Sequence, residues 1–179
     1  MDTTTYVSLR SQIRTGWLLG VGGAGIISWL IKWWTHGPYS HVGLLVKLSE
    51  GGTERVFLLH STGKTGVVLL PASRYLSDLK GTAWLVPLDA PYAALKNPNY
   101  EADLLGYALA QLGRGYNLSG AAKFVLPFLP ERRDKLFCSE LALAAVRAAK
   151  LLLAHPDTLW SPEVLIRQRP PFLEPIELA

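Results

Sequence analysis

Between residues 41 and 88 the chain is written in short apolar runs, and this stretch limits the fold more than any other. His41 to Leu48, Arg55 to His60, Gly66 to Leu70 and Thr82 to Leu88 are each rich in Val, Leu and aromatic side chains and bounded by turn residues. Gly51-Gly52 joins the first pair and Ser61-Thr62-Gly63-Lys64 the second. Connections this short suit hairpins, because parallel strands need crossovers of a dozen residues or more. An antiparallel meander is expected, with a helical turn from Pro71 to Leu79 between its third and fourth strands.

Helical spacing flanks this meander on both sides. Ahead of it, a short strand at Trp17 to Leu19, a glycine loop and a helix from about Ala24 to Trp34 are expected. Ile26, Trp29, Leu30, Trp33 and Trp34 recur at spacings of three and four, giving that helix one aromatic face, which is read as facing the core. A surface for an acyl chain or a membrane is the alternative reading. After the meander, Pro91 and Pro98 bracket a loop, Tyr100 to Leu112 reads as a helix, and Gly113 to Asp134 as mostly irregular, with Phe124, Leu126, Phe128 and Leu129 covering the core. Ser139 to Ala154 carries the strongest helical pattern, and Ser161-Pro162 supplies an N-cap and a first-turn proline for a short helix to about Gln168. The tail from Pro170 is expected to be extended and bound to the surface.

Composition bounds the class of molecule. The 179 residues, 49% of them hydrophobic and 18% charged, suit one domain over 1–179, with its core at about 16–168 and an extended tail at 170–179. A net charge of +4 is modest and scattered apart from Arg132-Arg133-Asp134-Lys135, read as a solvated loop, so no nucleic-acid partner is expected. No charge falls between Arg14 and Lys32, yet five glycines interrupt that segment and the Met-Asp-Thr-Thr-Thr start is acidic and polar. Neither an integral membrane span nor a signal peptide is expected. The compartment is left open, with a cytoplasmic or phage-associated protein, acting at the cell envelope if exported, as the expectation. Oligomeric state is left open.

Chemistry concentrates on few residues. Cys138, the single cysteine, excludes an internal disulfide and any multi-thiolate zinc site. It stands where a polar loop gives way to an apolar helix, and a helix N-terminus beside an imidazole stabilises a thiolate. The plainer reading is a buried cysteine acting as a small hydrophobe. His41 opens one expected strand and His60 closes the next, so a hairpin can make them neighbours in the arrangement of a base and the group that orients it. Each is otherwise an ordinary strand-end or turn histidine. Glu140 could polarise the site or pair with the helix dipole, and Tyr39 could donate to an oxyanion or be an ordinary buried aromatic. Ser139 joins them as a substrate or oxyanion candidate, since orphan N–H groups at the helix start could stabilise an oxyanion.

The order of these segments resembles a family. Leu18-Leu19, the glycines, Ile27-Ser28-Trp29-Leu30-Ile31-Lys32-Trp33, then Tyr39-Ser40-His41-Val42-Gly43-Leu44 and, far downstream, Phe137-Cys138-Ser139-Glu140-Leu141 look like circularly permuted papain-like hydrolases of the YiiX-like type. These are relatives of NlpC-type cell-wall amidases and lecithin:retinol acyltransferase-like enzymes. Tyr116-Asn117 and Ser161-Pro162-Glu163 sit where members carry similar short motifs, and the likeness runs from about Gly16 to Arg167.

The resemblance implies a small α+β fold, a central antiparallel sheet or half-barrel packed against helices, with the cysteine at a helix N-terminus and histidine before cysteine in the chain. It implies Cys138 as nucleophile, His41 as general base and His60 as the third polar residue. It further implies a thiol hydrolase with no cofactor, cutting amide bonds in peptides of a bacterial cell wall, or acyl bonds in lipids or lipopeptides as its lipid-directed branch does. A non-catalytic lipid-binding or structural module on the same fold is the reading from another class. Two positions depart from the pattern. His60 stands where many YiiX-like members carry glutamate, and Trp17 where an acidic residue commonly follows glycine.

Overall fold

The computed structural model describes residues 4–115, 137–153 and 160–178. Its elements run α1 (Thr4–Leu9), β1 (Leu18–Gly23), α2 (Ile26–Thr35), β2 (His41–Glu50), β3 (Thr53–Thr62), β4 (Gly66–Pro71), α3 (Ala72–Asp78), β5 (Gly81–Val86), α4 (Ala90–Lys96), α5 (Tyr100–Ala110), α6 (Cys138–Ala148), α7 (Pro162–Ile166) and β6 (Ile176–Leu178). The strands form one antiparallel sheet in the order β4-β3-β2-β1-β5-β6. The first three strands of the expected meander are its β2-β3-β4 half, but the fourth, β5, crosses over to pair with β1 instead of β4. At the β2-β3 turn Glu50 pairs with Thr53, and the two residues between them, Gly51 and Gly52, both hold positive φ, 55° and 77°. Two such residues make the primed hairpin turn whose twist matches the strands.

The glycine segment differs from its expected loop. Gly20, Gly22 and Gly23 lie within β1 and pair with β5. A Cβ on Gly20 would come 2.8 Å from the Ile166 side chain, and one on Gly22 would come 2.7 Å from the Pro38 carbonyl oxygen. Glycine in a strand interior marks such close approaches as often as it marks a loop. A second difference lies at Pro91. In place of a loop, Asp89 caps α4 by accepting from the Tyr92 N–H at 3.0 Å, with proline in the first turn where a backbone donor is dispensable. The C-terminal tail, expected to be extended and bound to the surface, pairs Ile176–Leu178 with β5 as an edge strand.

The core forms where helices meet the sheet. α6 packs on β2 and β3, with α5 and α7 against it. Leu141, Ala142, Leu143, Ala145 and Val146 of α6 are all buried, as are Leu44, Val46, Leu58 and Leu59 of the strands. α7 begins as expected, with the Ser161 Oγ accepting from the Val164 N–H at 3.2 Å. Asn97 ties the end of α4 to the end of α6, its side-chain amide donating to the Ala149 carbonyl at 3.0 Å and to Asp103 at 2.8 Å. The expectations for Tyr116-Asn117, for Phe124 to Leu129 and for Arg132 to Lys135 fall outside the described residues.

α2 has its expected period and the opposite orientation. Ile26 is 81% exposed, Trp29 58%, Trp33 64% and Trp34 48%, so the aromatic stripe faces outward. Ser28, Ile31, Lys32 and Thr35 lie on the inner side and are half-buried, and the Lys32 ammonium donates to the Gly23 carbonyl at 3.1 Å. Among the described residues no helix is long and apolar enough to cross a membrane.

Candidate active site

Three elements deliver the chemical side chains to one cleft of about 300 Å³. β2 supplies His41, β3 supplies His60, and the start of α6 supplies Cys138. Val21, Ser40, Tyr75, Phe137 and Pro162 complete much of its wall, with Ser28 and Ile31 of α2 at one side. Sequence order thus spreads over nearly the whole chain what the sheet and α6 bring together.

His41 and His60 meet through their rings. His41 Nε2 lies 3.1 Å from His60 Nδ1, with the rings nearly perpendicular at 81° and their centroids 5.3 Å apart. One of the two nitrogens carries the shared proton, and the tautomer decides which. Gly43 makes the approach possible. A Cβ there would come 2.6 Å from Leu58 Cδ1, 2.9 Å from the Leu59 carbonyl oxygen and 3.1 Å from His60 Cβ. Because Gly43 is two residues from His41 on the same strand face, its missing side chain leaves the room His60 occupies. Beyond His60, the Tyr75 ring stands edge-on at a centroid distance of 5.0 Å.

Burial decides the resting charges. It pulls His41 from its ordinary 6.5 down to about 3, with the neighbouring His60 as the lesser cause, and pulls His60 down to about 4. Burial also pushes the Cys138 thiol up to about 11, although hydrogen bonds from the backbone N–H groups of Val42, Ser139 and Cys138 itself pull the other way. The Tyr75 hydroxyl is pushed up to about 12, first by burial and then by the neighbouring Cys138 sulfur. A neutral thiol beside neutral imidazoles is therefore the resting state near pH 7. The expected lowering of the thiol by its helix terminus and an imidazole is outweighed here by desolvation.

The remaining candidates divide. Glu140 accepts from the Phe137 N–H at 3.0 Å, closing the first turn of α6. Ser139 is fully buried and its hydroxyl donates to the Trp160 carbonyl at 2.5 Å, so the hydroxyl is committed to the fold while its N–H lies at the sulfur. Tyr39 is buried against the Trp84 ring, centroid to centroid 4.9 Å, and does not line the cleft. The ordinary aromatic reading holds for it. Sequence reasoning missed Tyr75 and Gly43. Nothing local distinguishes Tyr75, but a glycine two residues after His41 inside a strand run was a readable sign of close approach.

With this geometry in place, the chain can be set beside known proteins. No protein-family model matches it, and no curated protein does. Among solved structures it matches the metalloprotein YiiX from Escherichia coli O157:H7 with a TM-score of 0.65 at 17% identity, over 94% of this chain and 97% of that one. The chain is thus an α+β protein with a YiiX-like fold, built on a six-stranded antiparallel sheet. YiiX is named a metalloprotein. Among the described residues here, no group of three or more His, Cys, Asp or Glu side chains could hold a metal ion, and His41 and His60 face each other nitrogen to nitrogen. The described residues do not fit a metal.

Proposed function

We propose that this protein is a cysteine-dependent acyl hydrolase, an amidase or endopeptidase of permuted papain-like type, with Cys138 as nucleophile, His41 as base and His60 as the residue that orients His41. The observation that carries this reading is the 3.1 Å contact from His41 Nε2 to His60 Nδ1 in a cleft shared with Cys138 at the first residue of a helix. When His41 Nε2 donates to His60, His41 Nδ1 keeps its lone pair for the thiol proton.

The resting charges dictate the order of events. With the thiol at about 11 and His41 at about 3, a separated thiolate and imidazolium lie well above the neutral pair. The proton therefore leaves sulfur for His41 as the carbon–sulfur bond forms, in general-base fashion. Negative charge moves to the carbonyl oxygen, where N–H groups at the start of α6 can receive it. Collapse of this intermediate breaks the carbon–nitrogen bond, and His41 hands its proton to the departing amine. Water then gives a proton to His41 and its oxygen to the thioester carbon, and the returning proton restores the thiol. His60 disperses little of the imidazolium charge compared with a carboxylate, so its contribution is orientation.

Peptide amides of cell-wall type are the first substrate class, on the resemblance to NlpC-type amidases. Lipid or lipopeptide acyl bonds are the second, favoured by the outward apolar face of α2 at the side of the cleft. Wild type and Cys138→Ala incubated with purified peptidoglycan and with a phospholipid panel, with products and protein mass read by mass spectrometry, test both. A product that requires Cys138, with an acyl adduct on the intact protein, is expected. Products that persist in Cys138→Ala, or none from either panel, would overturn the assignment.

A further inference from the structure

The outer face of α2 carries more exposed large apolar side chains than any other element of the described molecule. Ile26, Trp29, Trp33 and Trp34 are exposed on one side of a ten-residue helix, with the Trp29 and Trp33 rings stacked 6.4 Å apart at 16°. Scattered exposed apolar residues are ordinary, but four large ones on three turns of one helix mark a surface that meets something. Three of the chain's six tryptophans stand here. Tryptophan couples an apolar ring to an N–H donor and settles where hydrocarbon meets water.

Charge and position specify the occupant. No Asp or Glu falls on α2 or anywhere from Thr3 to Ser49, and Lys32 stands within the helix. Exposed Lys80 adjoins the start of the helix, its carbonyl accepting from the Ala24 N–H at 3.2 Å, and exposed Arg74 on α3 offsets exposed Asp78. The inner side of α2 lines the cleft through Ser28 and Ile31, so whatever touches the outer side lies at the mouth that leads to Cys138.

We infer that α2 is an interfacial helix that seats this protein on an anionic phospholipid surface, with its tryptophan face in the headgroup region and the Cys138 cleft opening at that surface. The docking stands by itself. Its consequence, that the acyl substrate is a membrane-borne lipid or lipopeptide, rests on the thiol hydrolase reading above.

Co-flotation with phosphatidylcholine vesicles, with and without phosphatidylglycerol, tests the docking without turnover. Wild type and Cys138→Ala should float equally, more with phosphatidylglycerol, and less as salt rises. The double variant Trp29→Ser with Trp33→Ser should lose at least about tenfold in vesicle affinity. Leu95→Ser, which alters an 83% exposed leucine on α4, should bind as wild type does. Absence of binding to both vesicles, equal binding by the double variant, or a concentration-dependent dimer that the double variant abolishes would overturn the inference. The last outcome would assign the face to a second copy of the chain. Vesicle binding with no Cys138-dependent product would leave docking intact and remove the hydrolase reading, so the two failures are separable.

Discussion

α2 and α6 are nearly equal in length, both strongly apolar, and treated in opposite ways by the fold. α6 hides Leu141, Ala142, Leu143, Ala145 and Val146, and no described side chain of α2 is fully buried. Side-chain size explains part of the difference. Alanines at 142 and 145 let the α6 backbone lie close on β2 and β3, whereas indole rings at 29, 33 and 34 would hold α2 away from any sheet it faced. The difference teaches that periodicity reveals an amphipathic helix without saying whether its apolar side meets the protein or something outside it. Small residues among the large favour the first.

Truncation is the most direct way to break this contrast. Leu141→Ala removes a buried leucine from the face of α6 and should cost about 2–5 kcal/mol in urea unfolding. A cost below about 1 kcal/mol would mean that α6 is not the wall of the core.

Titration sharpens the contrast, because burial at the cleft sets the histidine charges. His41 and His60 bind protons in the fold only near pH 3 and 4, whereas in the unfolded chain they do so near 6.5. Between those limits the unfolded state holds more protons, so stability falls as pH drops below about 6.5 and levels off below the folded values. The loss should reach up to about 2 kcal/mol for each imidazole between pH 7 and pH 5. Denaturant midpoints across that range measure it, and His60→Gln should remove about half. A flat profile would show that the pair is solvated. The thiol gives a second readout. Alkylation of Cys138 by iodoacetamide should be slow at pH 7 and climb about tenfold per pH step toward about 11. Fast alkylation at pH 6 would mean an ion pair already formed.

Gly43→Ala examines the floor beneath α6. The added methyl would press on the Leu59 carbonyl oxygen and on His60 Cβ, at 2.9 and 3.1 Å, and β2 and β3 would have to part. The expected cost is about 1–3 kcal/mol, with loss of the His41–His60 contact seen as displaced imidazole resonances. An unchanged histidine pair would assign its geometry to other contacts.

Much of this was legible beforehand. The β2-β3-β4 hairpins, the helix at Tyr100, the serine cap of α7 and the meeting of His41 with His60 follow from turn residues and strand order, which are local signals, whereas the approach of Cys138 to them was implied only by the resemblance. Gly20, Gly22 and Pro91 misled because their usual loop preferences yield to close approach in β1 and to a capped first turn in α4. β6 was hidden because three tail residues carry no pattern until the edge of β5 is there to pair with. Tyr75 and the resting charge of Cys138 depend on contacts between distant segments. The thiol lay beyond sequence reasoning because helix terminus and imidazole pull its pKa down while burial pushes it up, and only a folded site decides which prevails.

The smallest expected effect is the one most telling about α2. If Trp29 and Trp33 meet only each other and solvent, Trp29→Ser and Trp33→Ser should each change unfolding stability by no more than about 0.5 kcal/mol. A losing of about 2 kcal/mol or more would mean that the rings pack on the protein, and the surface assigned to lipid would belong to the core. Stability held at the wild-type level while vesicle binding drops would instead separate the two helices by function, since natural chains seldom keep large apolar side chains in water where folding gains nothing from them.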